Sequence, residues 1–463
     1  MNGLSARVFA SLLLGALLAP TSAAAQGRTV WGRSSTYLGG YVKPADTEEA
    51  TYLPFMEVVD LHTSRLGVDG LSLHTGFWGL IDIIDRRDRY RATGDLTTLY
   101  LDYRVPGQGR LRSLEGLRVT AGRQFVTLGP TVLEQVDGGK LHYIHRSGLE
   151  VGLFGGAPTG THLLFEPWPA DQDSYDYNYN WVLGGRLGYV NLGWLSAGTS
   201  FVHRRFDGRV ADNDLGFDLS ASPLSMLDLS GSGTLSLEAN RLKELKTGVE
   251  LQPWRPLSLL LGYRFYSPDL WVPRISIFAV FSEETYQEAH LDARWRATRR
   301  LSLDAGYGRR FYGGHDHEED ASAHEGSGES DGANRATLRA VYRLDASGPG
   351  RAMAEAERVE SPDNAANRVR LALALPLYLL SRTFQIVVDL DLTVLDEELR
   401  GARVGFTGGA FIQAPLARQL TLLAGASGGV SPLLKQAGSF IIRLNWDFEW
   451  PSGDVAVTRG GGV

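Results

Sequence analysis

Hydrophobic and polar residues alternate along most of the chain. The clearest run is residues 440–450, where one face carries Phe440, Ile442, Leu444, Trp446, Phe448 and Trp450 and the other carries Arg443, Asn445, Asp447 and Glu449. Successive side chains point to opposite faces in a β-strand, whereas a helix would scatter both sets around its circumference. Similar alternation occurs in residues 99–105, 181–189, 288–297, 301–307, 335–344, 384–394 and 404–412. The pattern predicts an all-β chain with strands of roughly ten residues.

The breaks between these runs form two sets that largely alternate along the chain. The short breaks are residues 65–69, 145–148, 189–193, 252–256, 297–300 and 414–418. The longer and more polar breaks are residues 44–50, 86–94, 158–176, 267–284, 312–332, 361–366 and 428–437. Tight turns on one side and longer loops on the other are typical of a membrane barrel. We therefore predict a single transmembrane antiparallel β-barrel of about 18–22 strands, with short periplasmic turns and longer extracellular loops.

Two soluble architectures also contain alternating strands: a tandem of β-sandwiches and a β-propeller. They would show domain linkers or a repeat of about 40–50 residues, and we find neither in the sequence. Aromatic residues such as Tyr103, Tyr189, Trp194 and Trp446 fall near predicted strand ends. An interfacial girdle of a membrane barrel lies at that level, so the membrane barrel is the favoured interpretation.

The first 25 residues differ from the rest of the chain. Arg7 precedes an apolar run over residues 8–18, and the segment ends with Ala23, Ala24 and Ala25. A basic start, a short apolar run and small residues before a cleavage site indicate a secretory signal peptide. We predict that residues 1–25 are removed and that residues 26–463 form the barrel, with a short C-terminal tail from residue 451.

Composition excludes several kinds of function. The chain of 463 residues has no cysteine and a formal net charge of -7. Without cysteine there is no disulfide framework, thiolate metal site or thiol nucleophile, and the acidic balance argues against a nucleic-acid partner. Residues 425–429 match the G-x-S-x-G pattern, but the predicted strand there is not followed by the helix that a nucleophile elbow requires. We predict no enzymatic activity, no cofactor and no resident metal.

One long loop is acidic and contains histidine. Residues 313–332 are rich in glycine, serine and carboxylates and include His315, His317 and His324. These groups are suited to capture of a divalent cation, but a solvated flexible loop is the favoured interpretation of this composition.

Another long loop is apolar. Residues 267–284 contain Trp271, Ile275, Phe278 and Phe281. Because so apolar a segment is unlikely to extend into water, we predict that it folds into the lumen or packs on the rim and constricts the pore. An extra membrane hairpin is the alternative.

The polar strand faces supply the candidate pore-lining residues. The basic candidates are Arg294, Arg296, Arg335, Arg339, Arg343 and Arg370. The acidic candidates are Asp389, Asp391 and Asp447, with Arg443 beside them. If these walls face each other, the guanidinium groups guide anionic or sugar-like solutes, since they pair bidentately with carboxylates. The alternative is an ordinary solvated lumen whose charges pair across strands.

A glycine-based pattern occurs between residues 117 and 157. Its parts are Gly122-Arg123-Gln124, Gly129-Pro130, Asp137-Gly138 and Gly155-Gly156. Over roughly 40 residues it resembles the Gly-Arg-Gln…Asp-Gly signature of outer-membrane porins of the alginate-export type. The resemblance implies a channel for an acidic polysaccharide, with Arg123 and Asp137 near the pore wall and with a periplasmic export partner.

These observations predict a monomeric outer-membrane channel or porin of a Gram-negative bacterium, in contact with outer-membrane lipid. The expected solutes are a secreted polysaccharide or smaller anions. A general diffusion porin and a non-conducting surface adhesin or assembly scaffold are the alternatives.

Overall fold

The computed structural model describes most of the chain between residues 29 and 451. The described residues are 29–43, 50–64, 66, 68–83, 92–107, 114–159, 180–190, 193–206, 208–267, 285–312, 332–345, 348–361, 364–379, 382–399, 401–431 and 437–451. The predicted signal peptide, the tail beyond residue 451, and the predicted loop residues Trp271, Ile275, Phe278, Phe281, His315, His317 and His324 lie outside these ranges.

The described residues form a succession of β-strands. They are β1 (Thr29–Lys43), β2 (Ala50–Tyr52), β3 (Pro54–Ser64), β4 (Leu71–Asp82), β5 (Ala92–Arg104), β6 (Leu117–Leu128), β7 (Val132–Ile144), β8 (Leu149–Pro158), β9 (Trp181–Tyr189), β10 (Leu195–Phe206), β11 (Arg209–Leu224), β12 (Leu227–Ser236), β13 (Arg241–Trp254), β14 (Leu257–Tyr266), β15 (Tyr286–Trp295), β16 (Leu301–Tyr312), β17 (Gly332–Arg343), β18 (Arg351–Glu360), β19 (Ala365–Leu379), β20 (Arg382–Leu399), β21 (Ala402–Ala417), β22 (Leu420–Val430) and β23 (Ala437–Pro451).

These strands close into one antiparallel barrel. Only Leu53 separates β2 from β3 and both pair with β1, so they form a single strand of a 22-strand wall. Each wall strand pairs with the next along the chain, and β1 pairs with β23 from Thr29–Pro451 to Val42–Gly438. Closure removes the unpaired edges that an open sheet would expose. The predicted all-β antiparallel barrel is confirmed, at the upper limit of the expected range of about 18–22 strands.

The two faces of the wall differ in polarity, as the alternation requires. Leu261, Leu291 and Leu338 lie on one face and are each more than half exposed. The polar face is the inner one, because residues of strands that are not neighbours meet on it, for example Glu134 of β7 and Arg204 of β10. In the ranges described above, no helix is long and apolar enough to cross a membrane.

The connections between strands lie at two rims. At the terminal rim, where β1 begins and β23 ends, the turns include residues 225–226, 255–256 and 418–419. The opposite rim has the longest connections, residues 159–180, 267–285 and 313–331. The separation of short turns from long connections is not strict. Residues 105–116 make a long connection at the terminal rim, and residues 129–131 make a short one at the opposite rim.

One hairpin leaves the wall. β5 pairs with β6 only from Leu99–Arg123 to Arg104–Arg118, although β6 continues to Leu128. β7 pairs with β8 only as far as Val136–Pro158. Residues 124–135, the inner hairpin, therefore have no neighbouring wall strand and fold into the lumen.

Two glycines allow the strands to approach closely where the inner hairpin departs. Gly122 has a φ of +126°, and a Cβ there would lie 2.2 Å from the carbonyl oxygen of Leu99. Its partner Gly138 has room for no side chain either, because a Cβ would lie 2.1 Å from the carbonyl oxygen of Gly155. The positive φ of Gly122 is also one that only glycine adopts without strain.

Candidate functional site

The inner hairpin packs on the inner wall through an apolar cluster. The hairpin contributes Val126 and Leu128, Val136 lies at its base, and the wall contributes Phe154, Val182 and Val202 from β8, β9 and β10, with every member at most 6% exposed. Full burial of one valine or leucine stabilises by about 1.5–3 kcal/mol relative to exposure in water. Six such side chains hold the hairpin against a lumen that would otherwise hydrate them.

Polar contacts fix the tip and the side of the inner hairpin. The hydroxyl of Thr131 donates to the hydroxyl of Ser200 at 2.9 Å. The hydroxyl of Thr234 donates to the carbonyl oxygen of Pro130 at 3.5 Å. Glu134 accepts from Nε of Arg204 at 2.8 Å. The tip therefore extends along the inner wall as far as β12.

A buried ion network lies behind the Glu134–Arg204 pair. Asp214 is fully buried and accepts from Nζ of Lys243 at 3.0 Å, and Lys243 is itself almost fully buried. Nη1 of Arg204 lies 3.4 Å from a carboxylate oxygen of Asp214. Buried charges need such partners, because removing one partner of a buried pair costs about 3–5 kcal/mol. The network thus anchors Arg204, and through it the inner hairpin, to the wall.

Arg123 and Asp137 lie at the base of the inner hairpin. Nε and Nη2 of Arg123 donate to the two carboxylate oxygens of Asp137, both at 2.8 Å. Nη1 of Arg123 also donates to the carbonyl oxygen of Leu96 at 3.1 Å, and Gln135 donates to that of Thr97 at 2.5 Å. These contacts satisfy β5 carbonyls beyond the last β5–β6 pair. The glycine-based pattern therefore marks the site where the hairpin bends inward, and pore lining by Arg123 and Asp137 stays a prediction.

Most of the basic candidates form ion pairs with carboxylates on adjacent strands. Nε of Arg294 donates to Asp304 at 2.7 Å. Nε of Arg335 donates to Glu357 at 2.6 Å, and Nε of Arg339 donates to Glu355 at 2.5 Å. Nε of Arg370 donates to Asp389 at 3.0 Å, and Nε of Arg368 to Asp391 at 2.7 Å.

The remaining candidates lie near strand ends or on the closing strand. Arg296 lies just beyond β15, and its Nη2 donates to the carbonyl oxygen of Arg255 at 3.0 Å. Arg343 is the last residue of β17. Nε of Arg443 donates to the Asn445 amide oxygen at 2.7 Å, and Asp447 accepts from Nε of Arg33 at 2.6 Å.

Opposite charges therefore lie on neighbouring strands of the wall. The expectation of a basic wall facing an acidic one across the lumen is wrong, since Asp389 and Asp391 of β20 pair with arginines of the adjacent β19. Alternation predicted which residues share the polar face, but strand pairing decided their partners.

Ion pairing does not hide the arginine charges from the lumen, because in each pair the arginine is more exposed than its carboxylate partner. The side chain of Arg294 is 71% exposed and that of Asp304 is 26% exposed. The corresponding values are 65% and 8% for Arg335 and Glu357. They are 48% and 11% for Arg339 and Glu355. The guanidinium groups thus cover the carboxylates and form the layer that faces the lumen in this part of the inner wall.

These three arginines line one cavity. It has a volume of about 470 Å³ and lies on the polar face of β13 to β18, with Glu250, His290 and Asp292 also at its surface. A guanidinium carries five N–H donors, and the hydrogen bonds from Arg294, Arg335 and Arg339 to their carboxylates use Nε. The lining also includes five carboxylates, those of Glu250, Glu288, Asp292, Asp304 and Glu355, so the cavity as a whole has mixed charge. The exposed arginine N–H groups are the hydrogen-bond donors in it that suit carboxylate or phosphate oxygens.

No protein-family model and no curated protein matches the chain. Among solved structures, the chain is similar to the P pilus usher (PapC) translocation pore, at 11% identity and a TM-score of 0.45, covering 90% of this chain and 99% of that one. It is also similar to OccAB1 of Acinetobacter baumannii, at 9% identity and a TM-score of 0.44, covering 93% and 99%. A third similar structure is OccD3 (OpdP) of Pseudomonas aeruginosa, at 8% identity and a TM-score of 0.44, covering 92% of this chain and 94% of that one. None of these distant likenesses carries information about what this chain binds or conducts.

Sequence reasoning missed the residues that hold the inner hairpin. Thr131 and Ser200 are 69 positions apart, and Arg204 and Glu134 are 70 positions apart. The tight Gly129-Pro130 turn was visible, but nothing local shows whether a hairpin continues the wall or folds inward. Within the described ranges, no group of three or more histidine, aspartate or glutamate side chains could hold a metal ion.

Proposed function

We propose that the protein is an outer-membrane channel of a Gram-negative bacterium that favours anionic solutes. The observation that carries this proposal is the inner hairpin docked on β8 to β12, which fills one side of the lumen and leaves the arginine-covered wall on another side. A barrel of this many strands encloses a space wide enough for water and solutes. The terminal rim, with most of the short turns, is the periplasmic side in this proposal.

Anion preference rests on the layering of the ion pairs. At each of the three ion pairs a solute meets the arginine N–H groups first, because the carboxylates of Asp304, Glu355 and Glu357 are less exposed than their arginines. Rings of charged side chains set the ion selectivity of many channels. Phosphate, carboxylate and acidic sugar groups fit this surface, because guanidinium matches their planar oxygen pairs.

Ion selectivity in a planar bilayer tests the proposal. The measurement is the zero-current potential of single channels in a KCl gradient. The triple variant Arg294→Ser, Arg335→Ser, Arg339→Ser removes three outer cations and uncovers their carboxylates. We expect anion selectivity in the parent protein and a shift toward cations in the variant. Arg358→Ser is the matched control, since Arg358 pairs with Glu360 near the opposite rim and lies on the other face of the wall.

An unchanged zero-current potential in the triple variant would refute the arginine wall as the selectivity element. Absence of any conductance in the parent, both intact and with the inner hairpin loosened, would favour a surface adhesin or assembly scaffold. A large steady conductance without anion preference would favour a general diffusion porin.

Export of an acidic polysaccharide with a periplasmic partner is the narrower form of this proposal. It is supported by the Gly-Arg-Gln…Asp-Gly pattern, whose arginine and aspartate hold the base of the inner hairpin. An exporter of this kind would be closed on its own and conduct when the hairpin is loosened, and deletion of the gene would abolish surface polysaccharide. The monomeric state belongs to the same proposal, and light scattering of the detergent-solubilised protein tests it.

A further inference from the structure

Four ring side chains form a row on the inner wall near the terminal rim. Trp31 of β1 lies directly opposite His62 of β3, His62 lies opposite His74 of β4, and His74 lies opposite Tyr100 of β5. The ring centres are 4.7, 4.1 and 4.6 Å apart in that order. The two central members are imidazoles, the side chains that most often bind transition metals.

The two imidazoles present the same nitrogen to each other. Nδ1 of His62 lies 3.0 Å from Nδ1 of His74. The ring planes are inclined by 70° and the ring centres are only 4.1 Å apart, so the rings meet edge to face, and their Nδ1 lone pairs do not both point along the line that joins the two nitrogens. In that arrangement the two nitrogen lone pairs can converge on one point beside the pair.

We propose that His62 and His74 form a binding site for one copper(II) ion on the wall of the lumen. With metal–nitrogen bonds of about 2.0–2.1 Å, the 3.0 Å separation of the two Nδ1 atoms corresponds to an angle of roughly 95° at the metal. That angle suits adjacent corners of a square-planar or tetragonal site and is smaller than the tetrahedral angle that zinc prefers. Copper(II) also binds nitrogen ligands most tightly among the divalent ions of its row. Water supplies the remaining positions.

The neighbouring side chains hold both imidazoles in place. Tyr100 stacks on His74 with ring planes inclined by 8°, and Trp31 covers the other side of His62 at 30°. Nε2 of His74 lies 3.4 Å from the hydroxyl of Ser72. Outer partners of this kind fix the ring orientation and tautomer of a ligating histidine. The site therefore loses little side-chain freedom when it binds a metal.

Copper binding to the purified full-length protein tests the proposal. His315, His317 and His324 are first replaced by serine, so that the acidic loop cannot contribute, and this protein is the reference. Copper(II) is added in detergent solution and followed by calorimetry and by electron paramagnetic resonance. We expect one copper(II) per chain with hyperfine structure from two nitrogen ligands.

Three single variants assign the ligands. His62→Gln and His74→Gln each remove one imidazole, and each is expected to weaken copper(II) binding by more than about tenfold, since loss of an outer partner alone costs about 10–100-fold. His142→Gln is the matched control, because His142 lies on the inner wall and pairs with Glu150 at 2.8 Å. It is expected to bind copper(II) as the reference does. Circular dichroism confirms that each variant is folded.

The proposal is overturned if the reference binds no copper(II) at micromolar concentration, in which case the pair is only a hydrogen-bonded element of the wall. Equal binding by the reference and by both His62→Gln and His74→Gln also overturns it. The copper site does not depend on the proposed transport function, because the binding assay requires no conductance.

Discussion

Loosening the inner hairpin should be visible in single-channel currents. Val136, at the base of the inner hairpin, and Val202 of the wall are both fully buried in the apolar cluster that holds the hairpin. Replacing both with alanine removes four methyl-sized groups and leaves cavities in a cluster that cannot fully collapse. At about 0.8 kcal/mol for each group, the double variant weakens docking by roughly 3 kcal/mol.

That energy predicts a large change in the undocked population. Because about 1.4 kcal/mol corresponds to a factor of ten, undocked states should become roughly 100-fold more frequent. The undocked states should appear as transient excursions to higher conductance, since the undocked hairpin is no longer held in the position that narrows the lumen. Val369→Ala is the matched control, because Val369 lies on the outer face of β19 and is 44% exposed.

A cross-link distinguishes hairpin motion from a general loss of stability. The chain has no cysteine, and the hydroxyl oxygens of Thr131 and Ser200 are 2.9 Å apart. Cysteines at these two positions are therefore close enough to form a disulfide with small adjustments. Oxidation should suppress the excursions in the Val136→Ala, Val202→Ala background, and reduction should restore them. Excursions that persist in the oxidised protein, or that never appear, would refute a docked hairpin as the narrowing element.

Two further variants test the inner wall by denaturant unfolding in detergent. Lys243→Met leaves the buried carboxylate of Asp214 without its nearest cation and should lower the free energy of unfolding by about 3 kcal/mol. An unchanged midpoint of the unfolding transition would contradict this, because it would show that Arg204 alone compensates the buried charge of Asp214. Gly138→Ala places a methyl group against the backbone of β8 and should destabilise the barrel by about 1–3 kcal/mol. Gly139→Ala is its control, because a Cβ there lies 3.6 Å from the Thr120 carbonyl oxygen, an ordinary van der Waals contact. Equal stability of the two alanine variants would contradict the close approach of β7 and β8 at Gly138.

The sequence by itself determined the barrel wall. Two-residue alternation follows from the stereochemistry of an extended backbone, so it can be read locally, as in the run from Phe440 to Glu449. The same alternation separated the exposed apolar face from the polar face, and turn residues marked most strand ends. Strand number, antiparallel order and the polar inner surface could therefore be predicted without any long-range contact.

Only the tertiary structure decided what the inner surface does. Ion-pair partners depend on strand register, which joins Arg33 to Asp447 across 414 positions and places Glu357 behind Arg335. The inward fold of residues 124–135 depends on contacts with β8 to β12, which follow later in the chain. The row from Trp31 to Tyr100 likewise exists only because four strands align it. Such contacts leave no periodic signal, because their energy arises between residues that are distant in sequence and meet only when the barrel has closed.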